Sequence, residues 1–530
     1  MRLLVCIACS LPIALGQSVS EKTVDNPPPD PAPAKEAGAP TDPDKPDPKK
    51  RARELLDKAY ETAGAARPEV QVAALLHLAD SYSKYDIKKA KKCLEEAFVI
   101  APTVPADKGM VSWISAEVVS FMAGVDVEAA IAMIPQLSPQ TLDADVRVEP
   151  TQTIVRKLLA DKKLDRAIAA VEIAGAEGEY PFRAATQVMK ALPEDDPRRA
   201  SLFGNATSAY QGRPRGPFFE LVAEAWKNIP EPMLETAVRS LVNAALDRKD
   251  ETTFAKTMST PKGAVKFDNR TDAELFELMH LFRKFDPKRA DEILEKRPSL
   301  RAQLERFPMG VASMNDGENR DVATNTVEGG KGPMDSSRAA EMEMLAIARQ
   351  KSSEARALVD TDPQKAIGIA KEIAVPFMRA ETLGRIATSV SEKDLGTAKS
   401  ILTQVVGLLD DVKKAEHRVA AWHTVAEAAH RVKNDELAWT AVRKGMDDAA
   451  ALYKEDTEAE NPNRAWREHW PSTQGYRAMV YRATAMFGSD AEGLLPKITD
   501  PDLQLLATIE VAGALQGTPQ RGFNVSIHKR

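Results

Sequence analysis

Four of the seven histidines, His417, His423, His430 and His469, fall within one short stretch. Glu416, His423, Glu427 and His430 are spaced by seven, four and three residues. On a helix turning 100° per residue, that spacing places all four on one stripe about 60° wide. Imidazole nitrogens beside a carboxylate are ligands for zinc or a similar ion, so His423, Glu427 and His430 are the candidate metal ligands. The chemistry they would support is metal-assisted hydrolysis. The plainer alternative is a set of helix-surface pairs, worth ~0.2–0.5 kcal/mol each. Residues seven apart stand ~10 Å apart along a helix axis. A single straight helix would therefore need a ligand such as His469 folded over it.

A second constellation is aromatic and basic. Arg464, Trp466, Arg467, His469, Trp470, Tyr476, Arg477, Tyr481 and Arg482 cluster together. Trp466 and Trp470 share a face if that stretch is helical. Tryptophan and arginine are frequent binding anchors, so Arg464, Trp466, Arg467, Trp470 and Tyr476 are the candidate binding residues. A polysaccharide or an acidic peptide would stack there. The alternative is that the two tryptophans fold inward and seal a junction between helices.

Other catalytic signatures are missing from the sequence. It holds no His-Glu-x-x-His, no Gly-x-Ser-x-Gly, no phosphate-cradling Gly-x-x-x-x-Gly-Lys and no dinucleotide glycine motif. Ser81 and Lys84 have the Ser-x-x-Lys spacing, but without the partner motifs of penicillin-binding enzymes. The acidic run Asp316 to Asp321 lacks the ligand order of a calcium loop. The reading carried forward is a protein that is not an enzyme and has no cofactor, with zinc at His423, Glu427 and His430 as the named exception.

The elements that position these residues follow a recurring pattern, Asp-x-x-x-Ala followed by an apolar stripe of helical period. It occurs as Asp86…Ala90, Asp126…Ala130, Asp196…Ala200, Asp286…Ala290, Asp362…Ala366 and Asp394…Ala398, with degenerate versions ending at Ala167 and Ala438. An aspartate just before an apolar-periodic run is a helix N-cap. Repeated helix starts of one type predict stacked helix pairs. Alanine is abundant and aromatic residues make up 5% of the chain, a composition that favours close helix packing over a β core.

The segment Leu78-Ala79…Tyr82…Ala90…Leu94…Ala97…Pro102 resembles one tetratricopeptide repeat, shortened by a residue in its central turn. The resemblance implies that Ala79, Ala90 and Ala97 are architectural, letting paired helices approach closely. It also implies a concave face that binds a protein or peptide. It covers this one unit well. Elsewhere only the capped start persists, and the repeat length varies from 32 residues between Ala366 and Ala398 to 90 between Ala200 and Ala290. A regular array of this family keeps a period near ~34 residues. The predicted fold is therefore all-α: an irregular α-solenoid of stacked antiparallel helix pairs, of tetratricopeptide or HEAT type, behind a disordered Pro-rich N-terminal segment.

The chain divides accordingly. Arg2 followed by the apolar run Leu3 to Leu15 has the form of a secretory signal peptide, residues 1–16, with cleavage expected after Gly16. Residues 17–49 form a Pro-rich spacer. Helical-repeat region 1 spans 50–306, a Gly/Asn-rich linker 307–337, helical-repeat region 2 residues 338–516, and a flexible tail 517–530. Pro181 to Thr186 echoes Pro376 to Thr382, which suggests two related halves. Cys6 and Cys9 lie in the leader, so Cys93 is the lone thiol of the mature chain.

With 72 basic and 78 acidic residues and a net charge of −6, the chain offers no field for nucleic acid. No second apolar run is long enough to cross a membrane. The functional expectation is an exported protein, periplasmic or secreted, acting as an adaptor for a protein, a peptide or a cell-wall polymer. A metal-assisted hydrolase and a structural spacer without a specific ligand are the alternatives.

Overall fold

The computed structural model describes residues 47–105, 108–137, 146–176, 180–193, 195–212, 218–248, 254–260, 263–314, 323–327, 336–458 and 466–518. The expected leader (1–16), most of the expected spacer (17–49), Arg464 and most of the expected tail (517–530) lie outside the described residues. Within them the chain is built almost wholly of helices, as the repeat pattern predicts. The described residues form two compact units.

The larger unit runs from Ala63 to Ile347 and includes Trp466. Before it comes α1 (Pro48–Ala63), and within it α2 (Pro68–Tyr82), α3 (Ile87–Ile100), α4 (Lys108–Val125), α5 (Val127–Met133), α6 (Val148–Ala160), α7 (Leu164–Gly175), α8 (Phe182–Ala191), α9 (Arg198–Gly212), α10 (Phe218–Ala225), α11 (Glu231–Asp247), α12 (Arg270–Phe285), α13 (Pro287–Glu295), α14 (Pro298–Arg306) and the single turn α15 (Val311–Met314). The even-numbered helices α2 to α12 pack in a row, each against the next, and each pairs with the odd-numbered helix that follows it.

The aspartates explain why the pairs form. Asp86, Asp126 and Asp286 precede α3, α5 and α13 with φ between −149 and −142° and ψ between 73 and 99°. Each carboxylate accepts the amide hydrogen three residues on, at 3.0–3.2 Å. Each Asp amide also donates to the carbonyl four residues back, in Tyr82, Met122 and Phe282, at 2.7–2.8 Å. One residue thus ends one helix and starts the next. The alanine four residues on then faces the core: Ala90, Ala130 and Ala290 are 0% exposed. Ala200 breaks the rule and is exposed. There the neighbouring Arg199 turns inward instead, and its Nη2 donates to the Leu192 carbonyl at 2.7 Å.

Ion pairs tie one helix pair to the next at sequence separations of 33 to 38, about one repeat. Lys91 on α3 meets Asp126 at 2.7 Å. Glu128 on α5 meets Arg166 on α7, and Asp165 on α7 meets Arg198 on α9. On the other row, Arg183 and Lys190 of α8 meet Glu220 and Glu224 of α10 at 3.1 and 2.8 Å. Exposed pairs of this kind contribute only ~0.2–1 kcal/mol each, so their main effect is on register, while burial of the apolar stripes supplies the stability.

One feature departs from the helical expectation. β1 (Ala255–Thr260), β2 (Gly263–Phe267) and β3 (Ala323–Val327) form an antiparallel sheet in the order β2-β1-β3. Met258 pairs with Val265 in the register, and both are 0% exposed. Phe267 packs on Phe276 of α12 with ring centroids 5.2 Å apart. The stretch 307–337, expected as a linker, therefore contains a strand, a helical turn and the start of α16. Gly310 has φ +58°, and a Cβ there would stand 2.2 Å from the Phe276 carbonyl oxygen, so this turn accepts only glycine.

The division between units falls within α16 (Ser336–Leu358), not at the end of a linker. The second unit holds α17 (Pro363–Lys371), α18 (Pro376–Val390), α19 (Leu395–Leu408), α20 (Ala415–Arg431), α21 (Asp435–Glu458), α22 (Pro471–Phe487) and α23 (Pro501–Leu515), together with α1 up to Thr62. α18, α20 and α22 pack in a row, with α19, α21 and α23 as their partners. Asp362 and Asp394 repeat the cap at 3.0 and 2.9 Å, with Ala366 and Ala398 fully buried. Among the described residues no helix is long and apolar enough to cross a membrane.

Candidate functional site

The His/Glu stripe lies on α20, in the second unit. Its members are near one another in sequence, but another residue has entered the stripe. Arg482 of α22 donates from Nε to His423 Nε2 at 3.2 Å, and its Nη2 pairs with Glu427 at 2.9 Å. Burial, with the Arg482 and Arg385 guanidinium groups beside it, lowers the His423 pKa to about 3. His423 is therefore a neutral acceptor whose Nε2 lone pair is already engaged. His430 points elsewhere: its Nδ1 lies 2.8 Å from Asp435, and its ring meets Phe487 edge-on at 5.4 Å. His469 sits in an exposed turn just before α22. A guanidinium among the candidate ligands repels a cation, so the stripe is a cross-tie between α20 and α22. Among the described residues, no group of three His, Cys, Asp or Glu side chains is arranged to hold a metal ion.

The aromatic and basic candidates are buried. Trp466, Trp470, Tyr476 and Arg467 are 5, 7, 5 and 7% exposed, and Arg464 lies outside the described residues. Trp466 and Trp470 do not share a helix, because Arg467–His469 forms a 3-10 turn between them. Trp466 meets Trp113 edge-on at 6.4 Å, within the larger unit. In the second unit the Arg467 guanidinium lies 4.8 Å over the Trp470 ring and donates to Asp500 at 2.9 Å. Tyr453 also donates to Asp500, at 2.6 Å. Arg477 pairs with Glu468 at 3.1 Å and with Glu510. Burial pushes the Tyr476 hydroxyl up to about 12. Arg467, Trp470 and Arg477 tie the start of α22 to α21 and α23, while Trp466 packs inside the larger unit; among the described residues these side chains form no open stacking platform.

Two clusters in the larger unit escaped the sequence reading. The first is a buried ion pair between the sheet and α12: Lys256 of β1 lies 3.1 Å from Glu277. Burial raises the Glu277 carboxyl to about 7 despite that ammonium, with Glu220 and Glu224 acting in the same direction. His280, one turn further along α12, meets Trp226 edge-on at 6.1 Å, and burial lowers its pKa.

The second is a cleft of about 620 Å³ between the α11–α12 and α13–α14 segments. Leu246, Ile293 and Pro298 supply apolar walls, while Arg289, Glu292 and Lys296 of the α13 segment supply charge. Deeper in, Asp272 and Arg297 neutralise each other at 2.5 Å. The Arg289 Nη2 donates to the neutral Asn243 side chain at 2.6 Å, and the guanidinium rests over Phe282. The available signal was the sequence Arg289…Glu292-Ile293…Lys296, but only folding brings Leu246 and Asp272 opposite it.

The site and fold together define an all-α helical-repeat protein. No known protein family matches the chain, and no curated protein is similar to it in sequence.

Proposed function

We propose that this protein is an exported, non-enzymatic scaffold of tetratricopeptide-like repeats that holds a protein or peptide partner. The observation that carries the reading is the periodic construction itself. Asp86, Asp126, Asp286, Asp362 and Asp394 cap the second helix of five helix pairs in one geometry. Such an array creates extended surfaces by repetition, and repeat proteins of this build act by binding. The apolar run Leu3 to Leu15 supports export, and the prolines of residues 17–49 support a spacer that gives the repeats reach.

Cross-linking of the full chain in its native envelope or secretion medium tests the proposal. One reproducible protein or peptide partner, cross-linked to residues of the repeats, is the expected result. Recovery of the chain without any partner across cross-linker chemistries overturns it.

A further inference from the structure

The cleft beside α13 has features that select a ligand class. Arg289 and Lys296 are seven residues apart on one side of that segment, so they stand ~10 Å apart along its direction. Neither has an ion-pair partner among the described residues. Ile293 lies between them in sequence, and Leu246 faces it from α11. The cleft thus alternates cation, apolar wall and cation. Of the two carboxylates in the lining, Asp272 is already matched by Arg297 at 2.5 Å. Glu292 sets a single negative charge against Arg289 and Lys296, so the rest of the lining keeps a net positive charge.

We infer that this cleft binds an acidic peptide segment in extended form, seating an aliphatic side chain against Ile293 and Leu246 while flanking carboxylates reach Arg289 and Lys296. In an extended strand, residues i, i+2 and i+4 point the same way, ~7 Å apart at each step. Glutamates at i and i+4 therefore flank an aliphatic residue at i+2 on one face, and their long side chains reach inward to the two cations. Arg289 offers a planar fork to one carboxylate and Lys296 a point charge to the other. The inference rests on the scaffold reading above and assigns it a partner chemistry.

The test uses the full chain and the peptide Glu-Ala-Leu-Ala-Glu-amide, labelled with fluorescein at its N-terminus and followed by fluorescence polarisation. The control is the same peptide with glutamine at each glutamate. Expected are saturable binding of the glutamate peptide and at least tenfold weaker binding of the glutamine peptide. The double variant R289A/K296A should lose at least tenfold, and the single variant Lys296→Gln a smaller part. Added salt should weaken binding of the glutamate peptide. All three side chains at the mouth are exposed, and unchanged circular dichroism of the variants confirms folding. Equal binding of both peptides, no saturable binding of the glutamate peptide, or full binding by R289A/K296A overturns the inference. Capture of a native partner by R289A/K296A at wild-type yield would sink the cleft assignment and leave the scaffold reading standing.

Discussion

Arg51 on α1 and Glu492, 441 residues later, form a two-pronged ion pair: Nε to Oε1 at 2.9 Å and Nη2 to Oε2 at 2.7 Å. The first described helix is thereby part of the same compact unit as the last. The chain leaves that unit after Thr62 and re-enters it at Ala348. Ala52, Leu55, Leu56 and Ala59 of α1 are buried, so the pair directs a helix that apolar contact already holds.

Reversal of one charge, Arg51→Glu, should leave two carboxylates facing each other and cost about 1 kcal/mol, scaled for a pair that is partly solvent-exposed. The double reversal R51E/E492R should recover most of that loss. Hydrogen exchange provides the readout: amides of α1 and of residues 488–497 should exchange faster in the single variant and return towards wild type in the double. Equal exchange in all three proteins would mean that the pair contributes nothing to closure.

The Asp caps give a second prediction. Asp394 accepts from the Thr397 hydroxyl at 2.6 Å and its amide at 2.9 Å, and these bonds hold its carboxyl below the usual range. Asp394→Ala should lower the thermal midpoint, and Asp394→Asn clearly less. A depressed folded pKa means that the cap's charge contribution is complete above the unfolded value, ~3.9, and is lost as pH falls through the folded value. The stability difference between wild type and Asp394→Ala should therefore narrow only in acid. A constant difference from neutrality down to that range would show that charge plays no part in the cap.

The two degenerate starts show what the aspartate replaces. Before α7 and α21 the helices end in Lys162 and Lys433, at φ +59° and +58°. There the Lys163 amide reaches back to the Leu158 carbonyl at 2.8 Å, and the Asn434 amide to Ala429 at 2.9 Å. This is the glycine-type helix end built with lysine, which carries a Cβ into the left-handed region. Lys162→Gly and Lys433→Gly should each stabilise the protein by up to about 1 kcal/mol, read as a rise in thermal midpoint. Lys433→Ala serves as the control and should give no such rise, because alanine keeps the strained Cβ.

What the sequence made legible was local. An aspartate cap and its buried alanine are set within nine residues of chain, so Asp86 with Ala90 could be read directly. Ala200 could not, because its exposure depends on Arg199 reaching the Leu192 carbonyl. The His423, Glu427 and His430 stripe was placed on the right helix, yet its chemistry is decided by Arg482, 59 residues from His423. Trp470 and Arg467 have the same composition whether they anchor a ligand or seal a core. Only the positions of Asp500 and Tyr453 separate those cases. The sheet was missed because β1 and β2 are six and five residues long and their third partner, β3, lies beyond α15.

The packing of Trp470 against Arg467 can be tested directly. Trp470→Ala removes a buried ring from over Arg467 and should cost about 3–5 kcal/mol, the range for emptying a large aromatic site. Folded Trp470→Ala protein, isolated at low temperature, should still capture whatever partner the wild type captures. Unchanged stability with lost capture would return the residue to the role of ligand anchor.

The Lys256–Glu277 pair makes stability depend on pH in an uncommon direction. Folding raises the Glu277 carboxyl to about 7, because burial and the neighbouring Glu220 and Glu224 outweigh the ammonium of Lys256. The folded state then keeps a proton that the unfolded state releases near ~4.3. Stability contributed by Glu277 is complete below the unfolded value and is lost as pH rises through the folded value. His280 acts oppositely, since burial lowers its pKa and favours the fold as pH rises past ~6.5. Subtracting a Glu277→Gln variant isolates the carboxyl. Wild type minus variant, from urea denaturation between pH 4.5 and 8, should decline steadily across that window. A flat difference would mean that Glu277 is ionised throughout and that the ion pair with Lys256 holds β1 on α12 unaided.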